Sequence, residues 1–353
     1  MKASDFDFEL PQELIAQQPV EGPRDSSRLM VLSRDDQTIA HRRFFELPEF
    51  LREGDVLVYN DSKVMPSRLL GQKAESRGKT ELLLLRRFDD AADDEGPREV
   101  WEAMVGSRRT REGDGVVFGE SGLKARIGEQ LSAETWKVEL NMHGREFRDV
   151  MDEIGRTPIP PYIKETPLEE QELRDKYQTI YAKHEGSAAA PTAGFHFSNE
   201  LIGRLEKMVV ERHPITLHVG LGTFAPVRED DVSKHKMHSE YAIVPDDTAH
   251  AVNMAKSTGR RIIAVGTTTV RTLESFMERG QLHAGQKWTD IFITPGYEFQ
   301  CIDAMVTNFH LPKSTLLMLV AAFAGTDFIK AAYAEAVDKK YRFYSFGDAM
   351  FIA

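Results

Sequence analysis

Between Asp55 and about Leu140 the apolar positions come in short runs. DVLVYND, SRLLGQK, TELLLLRR, VWEAMVG, DGVVFGE, LKARIG and TWKVEL are separated by Gly, Asp and Glu clusters. Their spacing of roughly ten residues fits no helical period and predicts short antiparallel strands closing into a small barrel. The acidic stretch DDAADDEGP, residues 89–97, reads as a hairpin tip. After the proline-rich IGRTPIPPYI, an extended linker, the pattern changes. TLHVG, a helical AHAVNMAKS, RIIAVG and a helical TTVRTLESFM alternate strand with helix, the grammar of an α/β layer structure. Before the barrel, Arg28-Leu-Met-Val-Leu32 predicts a strand, and a short helix follows from Glu46 to Leu51. The expected organisation is one discontinuous α/β domain, residues 1–60 plus 152–353, carrying an inserted antiparallel β-barrel domain, residues 61–151.

At 353 residues the chain is long for one core, and two domains are the default. The single cysteine, Cys301, excludes an intrachain disulfide and multi-Cys metal sites. The longest apolar run, Leu316 to Ala324, is far short of a membrane span, and acids occupy the N-terminus where a signal peptide needs an apolar core. A cytoplasmic protein is expected. The net charge of −11 argues against a strongly basic nucleic-acid binder. The local exception is SRRTR, with Arg108, Arg109 and Arg111, whose plain reading is a solvated hairpin loop.

Candidate chemistry sits where elements end. In RIIAVGTTTVRTLES a strand, a glycine turn and a helix follow one another. Thr267, Thr268 and Thr269 stand at the helix start, whose free N–H groups attract an anion. Arg271 and Glu274 share a helix face, in the plain reading a surface ion pair. In ITLHVGLGTFAPV, His218 points away from the apolar set Ile215, Leu217 and Val219, and Gly220 and Gly222 allow close backbone approach, with Thr223 next to them. HKMHSE offers His235, His238 and Glu240. A metal reading competes there with a strand that puts His238 and Glu240 on one face as an oriented imidazole pair. DAMVTNFHLPKST carries Asp303, Asn308 and His310 around a strand, with Ser314 capping the apolar helix beyond. YRFYSFGDAMFI reads as an aromatic hairpin turning at Gly347-Asp348. In AAAPTAGFHFS, small residues, Thr192 and Gly194 among them, surround His196 between Phe195 and Phe197. A flat heteroaromatic ligand or a tight structural turn would both use such a stretch. No G-x-G-x-x-G is present, so neither a dinucleotide fold nor a Gly-rich methyltransferase loop is indicated.

These same segments, with FDFELPQELIAQQP, GDVLVYNDSKVMPSRLLG and PGYEF, resemble the S-adenosylmethionine:tRNA ribosyltransferase-isomerase family of queuosine biosynthesis. The resemblance runs from Phe6 to Ile352; Phe195 departs from it, the family usually having Leu there. It implies a three-layer α/β domain with an inserted barrel and a monomer that needs no metal or other cofactor. S-adenosylmethionine is consumed as a ribosyl donor. The partner is the anticodon loop of tRNA carrying 7-aminomethyl-7-deazaguanine, and the products are epoxyqueuosine-tRNA, adenine and methionine. Such a reaction asks for a base, and the candidates are His196, His218, His238 and His310. Arg271 with the Thr267–Thr268 turn is the candidate for the methionine carboxylate, Glu274 and Asp303 for the sulfonium. Thr192, Gly194, Gly220, Gly222, Thr223 and Asn308 are candidate substrate contacts, and Arg108, Arg109 and Arg111 candidate tRNA contacts. Apart from the resemblance, a metal-independent nucleosidase and a non-catalytic RNA-binding protein remain as alternatives.

Overall fold

The computed structural model describes residues 1–88, 92–93, 96–107, 109–220 and 230–353. Gly222, Thr223 and Arg108 lie outside them, as does most of the acidic stretch 89–97, where the backbone of Ala92–Asp93 pairs with Gly96–Pro97.

A nine-stranded sheet forms the body. Its spatial order is Gly285–Thr289, Glu240–Val244, Glu211–His218, Val56–Asn60, Ile262–Val265, Ala304–Asn308, Ala349–Ile352, Arg28–Ser33 and Thr38–Arg43. The four strands from Glu211–His218 to Ala304–Asn308 run parallel. Parallel strands are buried on both faces, which is why Ile262–Val265 is an unbroken apolar run with all four residues buried. Alternate side chains enter two separate cores. Val56, Val58, Ile262, Ala264 and Met305 pack with helices Asp246–Ser257, Thr267–Ser275, Thr315–Ala324 and Thr326–Asp338. Leu57, Ile263, Val265, Ala304 and Val306 pack on the other face with the 3-10 turn Phe44–Phe50 and helix Asn199–Lys207. The body is therefore three layers, as expected. Ser198 and Ser314 cap their helices by accepting from the N–H of Leu201 and Leu317.

The barrel is closed by six antiparallel strands: Arg68–Lys73, Lys79–Arg87, Glu99–Val105, Gly115–Val117, Lys124–Gln130 and Thr135–Leu140. Leu69, Leu82, Leu84, Ala103, Val116, Ile127 and Val138 fill it, and helix Gly144–Ile154 seats Phe147 and Met151 against it. Gly71 is required by closure: a Cβ there would stand 2.8 Å from the Phe118 ring. The body meets the barrel partly through Leu85 against Ala188.

One expectation fails here. Residues 341–348 do not pair as a hairpin; only Ala349–Ile352 is a strand, inserted between Ala304–Asn308 and Arg28–Ser33. The buried Asp348 is the reason, since its carboxylate accepts from the N–H of Arg28 and of Arg342 and ties the loop down.

Candidate functional site

In an open parallel sheet the ligand crevice lies beyond the carboxyl ends of the strands. A cleft open to solvent lies there. Strand Ile262–Val265 ends in Gly266, whose φ of 87° only glycine adopts freely, and the chain turns at once into helix Thr267–Ser275. Thr267, Thr268 and Arg271 line the cleft from that helix, Thr307, Asn308 and His310 from the next strand, and Val219 from the third. The AAAPTAGFHFS stretch lies alongside, with Ala188 donating its N–H to the Val219 carbonyl and Ala189 to Ala193 forming one wall. Gly194 itself is a packing glycine, since a Cβ would fall 2.2 Å from the Tyr181 hydroxyl.

The helix start carries unmet hydrogen-bond capacity. Arg271 is buried and ion-paired through Nη1 with Glu240, while its Nη2 has no partner. The Thr268 hydroxyl is also buried and unpartnered. Buried donors left unpaired cost free energy unless a ligand meets them. The surface reading of Arg271 with Glu274 is thus corrected: both are buried, and they serve different partners. Glu274 accepts from the Tyr297 hydroxyl and from the N–H groups of Gln300, Cys301 and Ile302. It pins the 297–302 loop and does not line the cleft. Glu240 also accepts from the Gly220 N–H at 3.0 Å, so it is not free to orient His238. His238 itself is exposed and precedes the strand, which begins at Glu240.

The remaining histidines occupy different surroundings. His196 is buried; its Nδ1 meets the Ser27 hydroxyl at 2.7 Å and its Nε2 the Asn308 amide at 3.2 Å. Asn308 Nδ2 also donates to the Tyr344 carbonyl, which fixes the amide, so His196 Nε2 accepts and Nδ1 carries the proton. Burial, with Arg342 and Arg24 nearby, lowers its pKa to about 3. His310 lines the cleft. Its Nε2 meets the Thr307 hydroxyl at 2.8 Å, and Nδ1 has no partner among the described residues. Burial lowers its pKa to about 3 as well, so it is neutral. His218 lies outside the cleft lining, with burial and then His184 lowering its pKa.

Asp303 is at the amino end of strand Ala304–Asn308, the opposite edge of the sheet from the cleft, where it accepts the Ile262 N–H at 2.7 Å. Thr192 joins the cleft by donating its hydroxyl to Asn308 Oδ1 at 3.3 Å. Arg109 and Arg111 are exposed on the barrel loop between Glu99–Val105 and Gly115–Val117, away from the cleft lining. Among the described residues no group of three or more His, Cys, Asp or Glu could hold a metal ion. No single helix there is long and apolar enough to cross a membrane.

Sequence reasoning missed Glu240 as the partner of Arg271, and the tyrosines of the cleft. Tyr162 and Tyr344 have ring centroids 4.2 Å apart, and both line it with Tyr177. Tyr344 holds a φ of 75° and keeps a buried hydroxyl without a partner. A bulky residue in the left-handed region stores strain of the kind found at functional sites.

A family model described as queuosine biosynthesis protein matches residues 3–352. The chain is 51% identical to an S-adenosylmethionine:tRNA ribosyltransferase-isomerase of Symbiobacterium thermophilum and 52% identical to one of Desulfitobacterium hafniense, each across 100% of both chains. It is 38% identical to a crystal structure of S-adenosylmethionine tRNA ribosyltransferase from Thermotoga maritima, over 99% of this chain and 100% of that one, with a TM-score of 0.55.

Proposed function

The chain belongs to the queuosine biosynthesis protein family, and from that premise we propose how it acts as an S-adenosylmethionine:tRNA ribosyltransferase-isomerase. The full-length identity of about half to enzymes of that name carries the activity; the two alternatives have no observation of their own. The substrates are S-adenosylmethionine and tRNA. The finer reading is that the ribosyl unit goes to 7-aminomethyl-7-deazaguanine in the anticodon loop. A base takes a proton from the ribose carbon on the sulfonium and an acid protonates adenine as it leaves; overall, S-adenosylmethionine and the aminomethyl base give epoxyqueuosine-tRNA, adenine, methionine and one proton.

In this reading the unpartnered Arg271 Nη2, the Thr268 hydroxyl and the start of helix Thr267–Ser275 receive the methionine carboxylate. Among the described residues the cleft lining holds no carboxylate, and the faces of Tyr162 and Tyr344 stabilise the sulfonium. His310 is the base. Its place on the cleft and an Nδ1 without a partner among the described residues support this over His196, whose two nitrogens are both engaged. Arg109 and Arg111, with Arg108, meet tRNA phosphates. The division into 1–60 with 152–353 and an inserted 61–151 belongs to the same reading, supported by barrel strands confined to Arg68–Leu140. So do a monomeric, cytoplasmic enzyme and a reaction without a metal or added cofactor.

The test is a product assay with S-adenosylmethionine and tRNA bearing the precursor base. Adenine, methionine and a mass-shifted nucleoside, all dependent on tRNA, are expected. Adenine released without RNA would favour a nucleosidase instead.

A further inference from the structure

His218, Tyr241 and Trp288 stand opposite one another on three adjacent strands. His218 pairs with Tyr241 in one antiparallel register, and Tyr241 with Trp288 in the next. Directly opposed residues share a face, so the three rings form a row across the sheet. On the other face Leu217 and Ala242 are fully buried. The ring side opens towards the edge strand: Trp288 is 47% exposed and Tyr241 half-buried, while the His218 ring is half-buried beside Gly186, where a Cβ would stand 3.1 Å from it. The planes of His218 and Tyr241 are 1° apart with centroids at 6.4 Å, and Tyr241 and Trp288 have centroids at 5.2 Å.

Cations bracket the row. Arg86, from the barrel, holds its guanidinium 4.9 Å from the Trp288 ring centroid. At the other end the exposed Lys183 adjoins Asp61, with the exposed His184 ring 3.5 Å from the Asp61 carboxylate. The nearby acids are engaged: Glu102 with Arg86, Glu185 with Lys63, and Asp61 with the Thr216 hydroxyl. The row also adjoins the cleft, because Val219, next to His218, lines it, and Glu240, next to Tyr241, holds Arg271. An exposed tryptophan on the edge strand Gly285–Thr289 is a liability for a protein with no use for it.

We propose that His218, Tyr241 and Trp288 form a stacking platform for unpaired bases of the tRNA loop, with Arg86 and Lys183 at its phosphates. Rings accept any base face, and the cations meet the backbone between bases. This rests on the tRNA reading above. A loop laid across the row brings a neighbouring nucleotide to the cleft. The ring centroids step by 6.4 and 5.2 Å along the row, so it offers successive contacts to a splayed loop.

The test is the affinity of the full-length protein for precursor-bearing tRNA, measured with S-adenosylmethionine affinity in parallel. Trp288→Ala is expected to weaken tRNA binding roughly tenfold and leave S-adenosylmethionine binding unchanged. Trp288→Phe, which keeps a ring, is expected to recover most of the loss. Arg86→Gln is expected to lower the slope of log affinity against log salt by about one. Wild-type tRNA affinity in Trp288→Ala and in the Tyr241→Ala, Trp288→Ala double variant would overturn the platform. So would a loss of both ligands together, which marks a packing role. Failure of the wild-type protein to bind tRNA at all would overturn the underlying reading instead.

Discussion

The two ends of the same parallel strands are built from similar residues and treated differently. At the amino ends the charges close on one another. Arg261 makes two bonds to Asp55, at 3.0 and 2.6 Å, and Asp55 also accepts the Arg52 N–H. Arg260 meets Glu211, and Asp303 takes the Ile262 N–H. At the carboxyl ends a buried guanidinium arm, a threonine hydroxyl and a tyrosine hydroxyl lack partners, and Tyr344 sits in a strained conformation. Closed networks stabilise; unmet hydrogen-bond capacity, costly in the free protein, is what a ligand completes. Arg34 Nε and Arg212 Nε lack partners at the amino ends too; what sets the carboxyl ends apart is that the residues with unmet atoms, Arg271, Thr268 and Tyr344, line a cleft.

The sharpest way to break this contrast is to exchange the expected effects. His310→Ala, at the cleft, is expected to lower kcat by about 10²- to 10⁴-fold while S-adenosylmethionine still binds, measured by single-turnover kinetics and calorimetry. His196→Ala is expected to cost stability and spare turnover per folded molecule. The reverse pattern would move the base to His196. Asp55→Ala, at the amino ends, leaves Arg261 without its main partner and is expected to cost about 3–5 kcal/mol in denaturant unfolding, with KM for S-adenosylmethionine unchanged. A changed KM there would erase the distinction between the ends.

Acid sharpens the comparison further. His196 and His310 have folded pKa values lowered to about 3, against about 6.5 in the unfolded chain. Their contribution is complete above the unfolded value and is lost as pH falls from there towards the folded one. Each is expected to remove about 2 kcal/mol between pH 6.5 and 5, read as a falling unfolding midpoint. His196→Asn is expected to flatten that fall; an unchanged slope would mean that the imidazole is not held neutral.

Periodicity and turn chemistry made the layers and barrel legible, because strand spacing, Ser198, Ser314 and the Gly266 turn act over a few residues. The placing of Thr268 and Arg271 together on the cleft was legible for the same reason: they lie on one helix start. Their long-range settings were not. Glu240 lies 31 residues from Arg271, and its nearest sequence neighbour of interest, His238, suggested a different pairing. Asp303 and Asn308 share one strand, but only the sheet's direction separates them into opposite ends. Nothing local marks Glu274 as a loop anchor or His196 as enclosed, since burial there is decided by Ser27 and Asn308, 169 and 112 residues away.

The most direct test of the central claim is calorimetric binding to wild type and Arg271→Lys, using S-adenosylmethionine and its decarboxylated analogue. Lysine keeps a charge for Glu240 but removes the free guanidinium arm. The expected result is about a tenfold loss for S-adenosylmethionine and no loss for the analogue. Equal losses for both, or none for either, would contradict a carboxylate site at the carboxyl ends of the sheet.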